Sequence, residues 1–388
     1  MMSSPVMVAI LSLVVGIFLM KFSMALFWLI TLVIWAYVIV WLLYQSQLLP
    51  QPAMDILDRL TDRSKLQEML TEQNKRDMHF DKEEFIQFAN KRVIGQERVI
   101  KVIAQTLNNR LAQEKREKPV VTVLLSGPTG TGKTEMAKAI AEYLFGDKDE
   151  MLRIDVGSLD AQITSLTGSP KGYAGSDEPG KLTKHLQQKP QTVILFDEIE
   201  KAKSYGKDCQ LYKMLLALCD EGRVIEQSTQ SVVSAKDAVI LMTSNEKSEV
   251  LGGIARKHAE GIIDDLELKN SVKNELLSFM APEMLARIDI VTTVDELSLE
   301  ARAAIICIHF DKIVKSYGLQ VVHIEPKVFI DALNANEKIK NYGVRELIRH
   351  LEDSIGEQLA SVKEDNALEV ELRASNGAIT VETTKFKE

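Results

Sequence analysis

Hydrophobic and polar positions divide the 388-residue chain into two unlike parts. Residues 1–54 contain one charged side chain, Lys21, whereas all later stretches mix charged and apolar residues. Met24 to Tyr44 is an uncharged run of 21 residues, long enough to span a bilayer core, and its aromatic residues are typical of membrane interfaces. Pro5 to Met20 is shorter, about 24 Å as a helix. We therefore expect a membrane anchor over residues 1–48, with two transmembrane helices favoured over one.

A cleaved signal peptide is the alternative for the first apolar run. That run lacks a basic leader, however, and a second apolar run follows it directly. Residues 49–85 are interrupted by proline and then follow a charged helical pattern, which predicts a juxtamembrane linker or helix.

Strand-like and helix-like segments alternate over residues 86–297, which is typical of an α/β domain with a parallel sheet. The strand-like runs cover residues 120–126, 152–156, 192–198 and 238–245. Beyond residue 298, two long helical patterns precede two strands that flank Asn376-Gly377, a strong hairpin signal. We therefore predict a large α/β domain over 86–297 and a small helical or α+β domain over 298–388.

Charge and cysteine content narrow the functional classes. The chain has a formal net charge of −8, and since Lys21 is the one charge of the anchor, the remainder carries −9. An acidic remainder argues against nucleic acid as a partner, because binding to its backbone needs clustered Lys and Arg. Cys209, Cys219 and Cys307 form no CxxC pair, which is typical of a reduced compartment, and we assign them no metal role.

The segment GPTGTGKT matches the phosphate loop G-x-x-x-x-G-K-[ST], and it follows an apolar strand and precedes a helical pattern. Its glycines let backbone N–H groups wrap phosphates, and the next helix points its positive end at them. Lys133 would reach the β- and γ-phosphates, and Thr134 would ligate Mg²⁺. We therefore expect ATP and Mg²⁺ as cofactors. The expected binding residues here are Gly127, Pro128, Thr129, Gly130, Thr131, Gly132, Lys133 and Thr134.

A pair of acids follows another buried strand in TVILFDEIEK. Asp197 and Glu198 would lie at the carboxyl end of that strand, beside the phosphate loop. Asp197 suits the Mg²⁺ shell, and Glu198 suits polarising the attacking water. Such a pair alone is as often an ordinary strand end with two solvated acids. The preceding phosphate loop favours the catalytic interpretation.

Three further polar residues are candidates for phosphate contacts. Asn245 ends the strand-like LMTSN and suits positioning of the water, although a plain Asx turn also explains it. Arg287 follows a short helical segment and Arg345 begins a helix, and either alone is typical of a solvated surface residue. Together with the loop and the acids, these residues fit an ATPase whose transition state receives cationic groups in cis and in trans.

The motifs RVIGQ, GPTGTGKTE, GSPKGYAGSDEPG, VILFDEIEKA, DEGR, TSN, PEMLARID and YGVREL follow one another in this order. With them, the last three-quarters of the chain resembles the AAA+ ATPases of the Clp unfoldase and disaggregase clade, most closely the second ATPase module of ClpB- and ClpA-like proteins. The resemblance implies that Val93 and Ile94 pack on adenine. It also implies that Asn245 is sensor 1, that Arg287 is the arginine finger and that Arg345 is the sensor 2 arginine of a lid domain.

The resemblance also implies Walker A roles for Lys133 and Thr134 and Walker B roles for Asp197 and Glu198. Because the finger acts on the neighbouring subunit's nucleotide, a homo-oligomeric ring, most simply a hexamer, is implied. Tyr173 in GSPKGYAGSDEPG would then line a central channel and pack on extended polypeptide. The alternative is a tyrosine that anchors its own loop.

Several positions depart from the family pattern. Lys203-Ser204 replaces a His-Pro, VIEQSTQSVVSAKD replaces a Gly-rich stretch, and Ala174 and Pro179 replace a larger aliphatic residue and a glycine. No clear protease-docking tripeptide is present, since EGIIDD is a weak match. We expect the N-domain and first ATPase module of these proteins to be absent, with the apolar segment in their place.

Two functional hypotheses remain open. The first is a membrane-anchored motor that unfolds, threads or remodels polypeptide near the bilayer. The second is a torsin-like or secretion-system assembly ATPase, a nucleotide-switched scaffold with a membrane protein or secretion complex as partner. Because ATP is intracellular, the ATPase part would face the cytoplasm, most simply at a bacterial inner membrane. A nucleic-acid motor is disfavoured by the acidic balance.

Overall fold

The computed structural model describes Trp35 and residues 78–159, 163–173, 178–205, 210–338, 343–375 and 378–386. The chain forms two compact units, Met1–Asn74 and Lys75–Glu388. The predicted anchor lies in the first unit and, apart from Trp35, outside the described residues. Across the described ranges, no helix has both the length and the apolarity required to cross a membrane.

Five parallel strands form the main sheet of the second unit, in the order β2-β3-β6-β1-β7, and two further strands form an antiparallel hairpin, β4–β5. The strands are β1 (Val121–Ser126), β2 (Met151–Asp155), β3 (Val193–Asp197), β4 (Arg223–Glu226), β5 (Ser231–Ser234), β6 (Val239–Ser244) and β7 (Ile290–Thr293). The four predicted runs are confirmed as strands β1, β2, β3 and β6. We did not predict β7, because its short apolar run is interrupted by threonines, nor the hairpin.

Helices cover both faces of this sheet. They are α1 (Lys82–Arg92), α2 (Glu97–Leu111), α3 (Lys133–Phe145), α4 (Thr164–Thr167), α5 (Lys181–Gln188), α6 (Gln210–Glu221), α7 (Ser248–Ala259), α8 (Asp265–Leu276) and α9 (Pro282–Arg287). Successive residues of a strand face opposite ways, so Leu124 belongs to the core that contains Leu218 and Leu125 belongs to the core that contains Ile140. Strands β1, β3 and β6 are buried throughout, which explains their continuous apolar sequences.

The packed core begins upstream of residue 86, where the predicted large domain starts. Phe85 on α1 is fully buried, and Met78 and Phe80 pack against the same core. The ring of Tyr143 on α3 contacts the rings of both Phe80 and Phe85, with centroid separations of 5.7 and 5.2 Å. Aromatic packing therefore joins α1 and the residues before it to the core of the sheet domain.

The C-terminal elements form their own core, which contains Phe310, Ile355 and Val370. They are α10 (Leu299–Ser316), β8 (Gln320–Ile324), α11 (Pro326–Lys338), α12 (Gly343–Glu364), β9 (Ala367–Ser375) and β10 (Ala378–Phe386). Strands β9 and β10 pair antiparallel, as the Asn-Gly signal predicts, although Asn376 and Gly377 themselves lie outside the described residues. Strand β8 pairs parallel to β9, and we did not predict it.

Candidate active site

The predicted phosphate loop runs from the end of β1 to the start of α3. Gly127, Gly130 and Gly132 have φ values of 129°, 79° and 94°, a region that favours glycine. A Cβ at Gly127 would lie 2.7 Å from Cγ2 of Val294, and one at Gly132 would lie 3.1 Å from Cγ1 of Val93. The loop conformation therefore requires glycine, and it leaves the backbone open to close approach by a ligand.

Lys133 is folded into this loop, and only 7% of the residue is exposed. Its Nζ donates hydrogen bonds of 2.7 Å to the carbonyl oxygens of both Gly127 and Pro128. The hydroxyl of Thr131 also donates to the Pro128 carbonyl, at 2.8 Å. Thr134 is partly buried in the first turn of α3. The loop thus places one buried ammonium group and a helix N-terminus together, a combination that suits a polyphosphate.

Three strand ends meet beside the loop. Ser126 of β1 pairs with Ser244 of β6, whose carbonyl accepts a hydrogen bond of 3.2 Å from the Gly127 N–H. Strand β6 also pairs with β3, which ends at Asp197. Asp197, Glu198 and Asn245 are therefore at the same sheet edge as the phosphate loop, because parallel strands end at a common edge.

Asp197 is buried, and both of its carboxylate oxygens are hydrogen bonded. Arg153 on the neighbouring strand donates to Oδ2 from Nε at 3.1 Å and from a terminal nitrogen at 2.6 Å. The hydroxyl of Thr243 donates to Oδ1 and lies 3.3 Å from the backbone nitrogen of Glu198. Glu198 adopts φ 59°, a left-handed conformation that is uncommon for glutamate. Thr243 therefore bonds to both residues of the pair, to the carboxylate of Asp197 and to the backbone N–H of Glu198.

The side chain of Glu198 is paired with Lys201, with Oε2 to Nζ at 2.5 Å, and this hydrogen bond raises the pKa of Lys201. The nearby Glu200 accepts a hydrogen bond of 3.0 Å from the backbone N–H of Asn245. Asn245 is therefore fixed through its backbone by a carboxylate that follows the Walker B pair.

Val93 and Ile94 follow helix α1, and Val93 is 2% exposed against the phosphate loop. The fully buried Gln96 fixes this segment, since its side chain donates to the Asp295 carbonyl and accepts from the Asp295 N–H, both at 2.9 Å. The structure thus brings Val93 beside Gly132 of the phosphate loop, and the packing of Val93 and Ile94 on adenine stays a prediction.

Arg287 lies at the opposite edge of the sheet from the phosphate loop, where the strands begin. Its carbonyl accepts a hydrogen bond of 3.3 Å from the hydroxyl of Thr122, near the start of β1. At about 3.3 Å per strand residue, that edge is about 20 Å from the phosphate loop. The guanidinium pairs with Glu283 at 2.8 Å and with Asp220 at 3.1 Å, and these hydrogen bonds raise its pKa. Hydrogen bonds from Lys118 and Arg287 lower the pKa of Asp220.

For two further predicted residues, the described part of the chain gives no contact with this cluster. Tyr173 is 71% exposed, so most of its side chain is open to solvent, and its N–H donates to the Pro170 carbonyl at 3.2 Å. Residues 174–177, which include Ala174, lie outside the described residues. Arg345 belongs to α12, but its side chain is also outside the described part of the chain.

The sequence analysis missed Arg153, Thr243, Glu200 and Gln96. Arg153 and Thr243 are polar residues within otherwise apolar strands, a signal that suggests a partner at the strand end. Glu200 is indistinguishable in sequence from a solvated helix-start acid, and the partner of Gln96 is 199 residues away.

The described residues fit ATP with Mg²⁺. The glycine conformations and buried Lys133 match a polyphosphate, while the Asp197 carboxylate and Thr134 hydroxyl are oxygen ligands of the kind Mg²⁺ prefers. Within the described ranges, no group of three or more His, Cys, Asp or Glu forms a metal cluster. Nucleotide-bound Mg²⁺ does not need one, because one or two protein ligands and the phosphates hold it.

Comparison with known proteins agrees with this geometry. Residues 118–291 match the family model described as AAA domain (Cdc48 subfamily). A ClpA homologue of Cyanidium caldarium, an ATP-binding subunit of an ATP-dependent Clp protease, is 32% identical over 71% of this chain and 34% of its own length. ClpC/MecB of Bacillus subtilis, a negative regulator of genetic competence, is 32% identical over 76% of this chain and 37% of its own length. The chaperone ClpB of Oceanobacillus iheyensis is 34% identical over 74% of this chain and 36% of its own length.

A solved structure of closed-state Hsp104 with ATPγS and FITC-casein has a TM-score of 0.62 and 27% identity, covering 78% of this chain and 52% of that one. The sheet and the phosphate-loop site define an AAA+ ATPase domain. The chain belongs to the Clp/Hsp100 family of these ATPases. It spans about a third of the length of the curated relatives it matches.

Proposed function

We propose that this protein hydrolyses ATP to unfold, thread or remodel polypeptides. The observation that carries the proposal is the meeting of Lys133, Asp197, Glu198 and Asn245 at one sheet edge around a glycine-dependent loop. These groups are the ones that phosphoryl transfer to water requires, namely a phosphate cradle, an acid for the metal shell and a group that orients the water.

Each residue has a distinct role in the proposed reaction. Lys133 would leave the carbonyls of Gly127 and Pro128 to contact phosphate oxygens. Asp197 and Thr134 would hold Mg²⁺, and this ion neutralises phosphate charge when it is bound. Glu198 would orient and polarise the attacking water, and for this its carboxylate must leave Lys201.

The position of Arg287 supports action in a ring. Because Arg287 lies at the far sheet edge, it suits contact with the nucleotide of a neighbouring subunit better than with its own. We therefore propose a homo-oligomer, most simply a hexamer, with Arg287 as the arginine finger and Arg345 of α12 as sensor 2 of a lid formed by residues 298–388. The similarity to Hsp104, solved with casein, supports a polypeptide substrate.

We also propose that the apolar residues 1–48 anchor the protein in a membrane, with the ATPase domain at residues 86–297 facing the cytoplasm. The support is the uncharged run from Met24 to Tyr44, whose length matches a bilayer core. Protease access to an N-terminal tag would distinguish one membrane span from two.

Tyr173→Ala tests polypeptide threading. In a ring, exposed copies of Tyr173 would pack on an extended chain whatever its sequence, so removal of the ring should abolish unfolding of a fluorescent substrate protein. The ATPase rate without substrate should stay within about twofold, because Tyr173 is an exposed side chain whose described hydrogen bond is to Pro170 rather than to the cluster of Lys133 and Asp197.

Tyr173→Phe is the matched control, since it keeps the ring and should retain unfolding. If the alanine variant keeps full activity in cells at an unchanged ATPase rate, threading is wrong and a nucleotide-switched scaffold explains the protein better.

A further inference from the structure

Residues 168–180, which we call the Tyr173 segment, begin and end with a glycine, and Gly168 and Gly180 lie close together. A Cβ at Gly180 would overlap the backbone of both Leu166 and Gly168. A Cβ at Gly168 would overlap a carboxylate oxygen of Glu226, and Gly168 itself has φ 79°. The two ends of the segment therefore pack against each other, and Gly168 also packs against Glu226, the last residue of strand β4.

Glu226 is 1% exposed, and among the described residues its carboxylate accepts hydrogen bonds from neutral donors. One oxygen accepts from the Gly180 N–H at 3.2 Å and from the Thr183 hydroxyl. The other accepts from the N–H and the hydroxyl of Ser228 at 3.3 and 2.9 Å. Because a buried carboxylate needs several donors, this arrangement stabilises its charge, and the N-terminus of α5 at Gly180 favours the same charge.

The donors come from two different parts of the chain. Gly180 and Thr183 belong to the Tyr173 segment and the helix after it, whereas Ser228 belongs to the turn of the β4–β5 hairpin. A second link joins the same parts, since the Gln227 N–H donates to the Thr167 carbonyl at 2.7 Å. Glu226 therefore links the end of the Tyr173 segment to the β4–β5 hairpin through hydrogen bonds to both.

We propose that Glu226 is a positioning residue for polypeptide engagement. Through its two sets of hydrogen bonds, it holds Gly180 and Thr183 to the β4–β5 hairpin, and so sets the position from which Tyr173 contacts polypeptide. The functional part of this inference rests on the proposed role of Tyr173, whereas the link itself is a property of the fold.

The link is tested without reference to function by limited trypsin digestion of the full-length protein. Lys171 is exposed and two residues from Tyr173. In Glu226→Gln, an amide NH₂ replaces one carboxylate oxygen and faces hydrogen-bond donors, so part of the link is lost. Cleavage after Lys171, followed by mass spectrometry, should then be at least fivefold faster. The matched control Glu260→Gln changes an exposed glutamate on the surface and should cleave at the parent rate.

An unchanged cleavage rate after Lys171 in Glu226→Gln would overturn the link. Should that variant fail to fold, Ser228→Ala removes one donor and retains the carboxylate. It should still cleave at least twofold faster, and a parent rate there would overturn the link as well.

The positioning role is tested by kinetics with an unfolded polypeptide. Glu226→Gln should lose most of the stimulation of ATPase by polypeptide, while the KM for ATP stays within twofold of the parent value. A merely structural role would change the KM and the thermal midpoint together, and full stimulation would overturn the proposal. If Tyr173→Ala alone leaves unfolding intact, the proposed function fails, and the trypsin comparison still decides the link.

Discussion

At the scale of single residues, Glu198 carries the clearest conformational signature of the site. Its φ of 59° lies in a region that costs a non-glycine residue about 1 to 3 kcal/mol, and Thr243 holds it at the backbone nitrogen. Such strain is maintained only where surrounding structure over-determines it. The side chain is paired with Lys201, and in the proposed reaction this pair would open for the carboxylate to orient the attacking water.

Glu198→Gln should therefore bind ATP with nearly unchanged affinity and hydrolyse it at least about a hundredfold more slowly, since the amide cannot polarise water. Nucleotide binding by fluorescent ATP analogue and steady-state phosphate release measure the two effects. The exposed Glu260→Gln is the control and should behave as the parent. Equal turnover of Glu198→Gln and the parent would show that another group orients the water.

At the scale of elements, the segment between α1 and α2 depends on one buried side chain. Gln96 satisfies both the N–H and the carbonyl of Asp295, at 2.9 Å each, and so binds the segment between α1 and α2 to the residues after β7. Helix α2 itself begins at Glu97, with no side-chain cap from Gln96. The side chain therefore serves the tertiary contact rather than the helix.

Gln96→Leu keeps the approximate shape but removes the partner of two partly buried backbone groups, the N–H and the carbonyl of Asp295. We expect the free energy of unfolding to fall by about 2 to 4 kcal/mol. Urea unfolding followed by circular dichroism measures the change. Gln105→Leu, an exposed position of the same helix, is the control and should change stability by no more than about 0.5 kcal/mol. Equal effects at the two positions would mean that the Asp295 contact adds nothing.

The elements that sequence alone revealed are those with a strong period or a continuous apolar run. Strands β1, β3 and β6 are buried on both faces, so their sequences are apolar throughout. Strand β7 was missed because Thr292 and Thr293 look polar in sequence, yet their hydroxyls bond within the core, as Thr293 does to Ser126 at 3.2 Å. Strand β8 is largely exposed and short, and only its pairing with β9 makes it a strand.

At the scale of the whole molecule, the placement of Arg287 at the sheet edge opposite the phosphate loop predicts complementation between subunits. Arg287→Ala and Glu198→Gln should each hydrolyse ATP very slowly alone. When the two variants are mixed before assembly, some sites combine an intact Glu198 with an intact Arg287 from the neighbour. Phosphate release should then exceed the sum of the separate variants.

The control for this mixture is Arg287→Ala with the double variant Glu198→Gln/Arg287→Ala, which can rebuild no complete site. Activity of the first mixture no higher than that of the control would contradict a finger that acts in trans. The same measurement reports on assembly, because complementation requires subunits in contact.

The sequence by itself determined the chemistry of this protein, because phosphate binding needs a particular backbone conformation that only the glycines of GPTGTGKT permit. It also determined where the buried strands lie and that acids follow one of them, since burial on both faces of a strand requires a continuous apolar run. Only the tertiary structure decided the partners of those acids. Arg153 and Thr243 bond Asp197 from strands 44 and 46 residues away, and Glu200 bonds Asn245 across 45 residues, and no local pattern encodes such pairings. The same reason applies to the stretch GSPKGYAGSDEPG, whose first glycine is explained by the buried carboxylate of Glu226 and whose last glycine is explained by the backbone of Leu166 and Gly168.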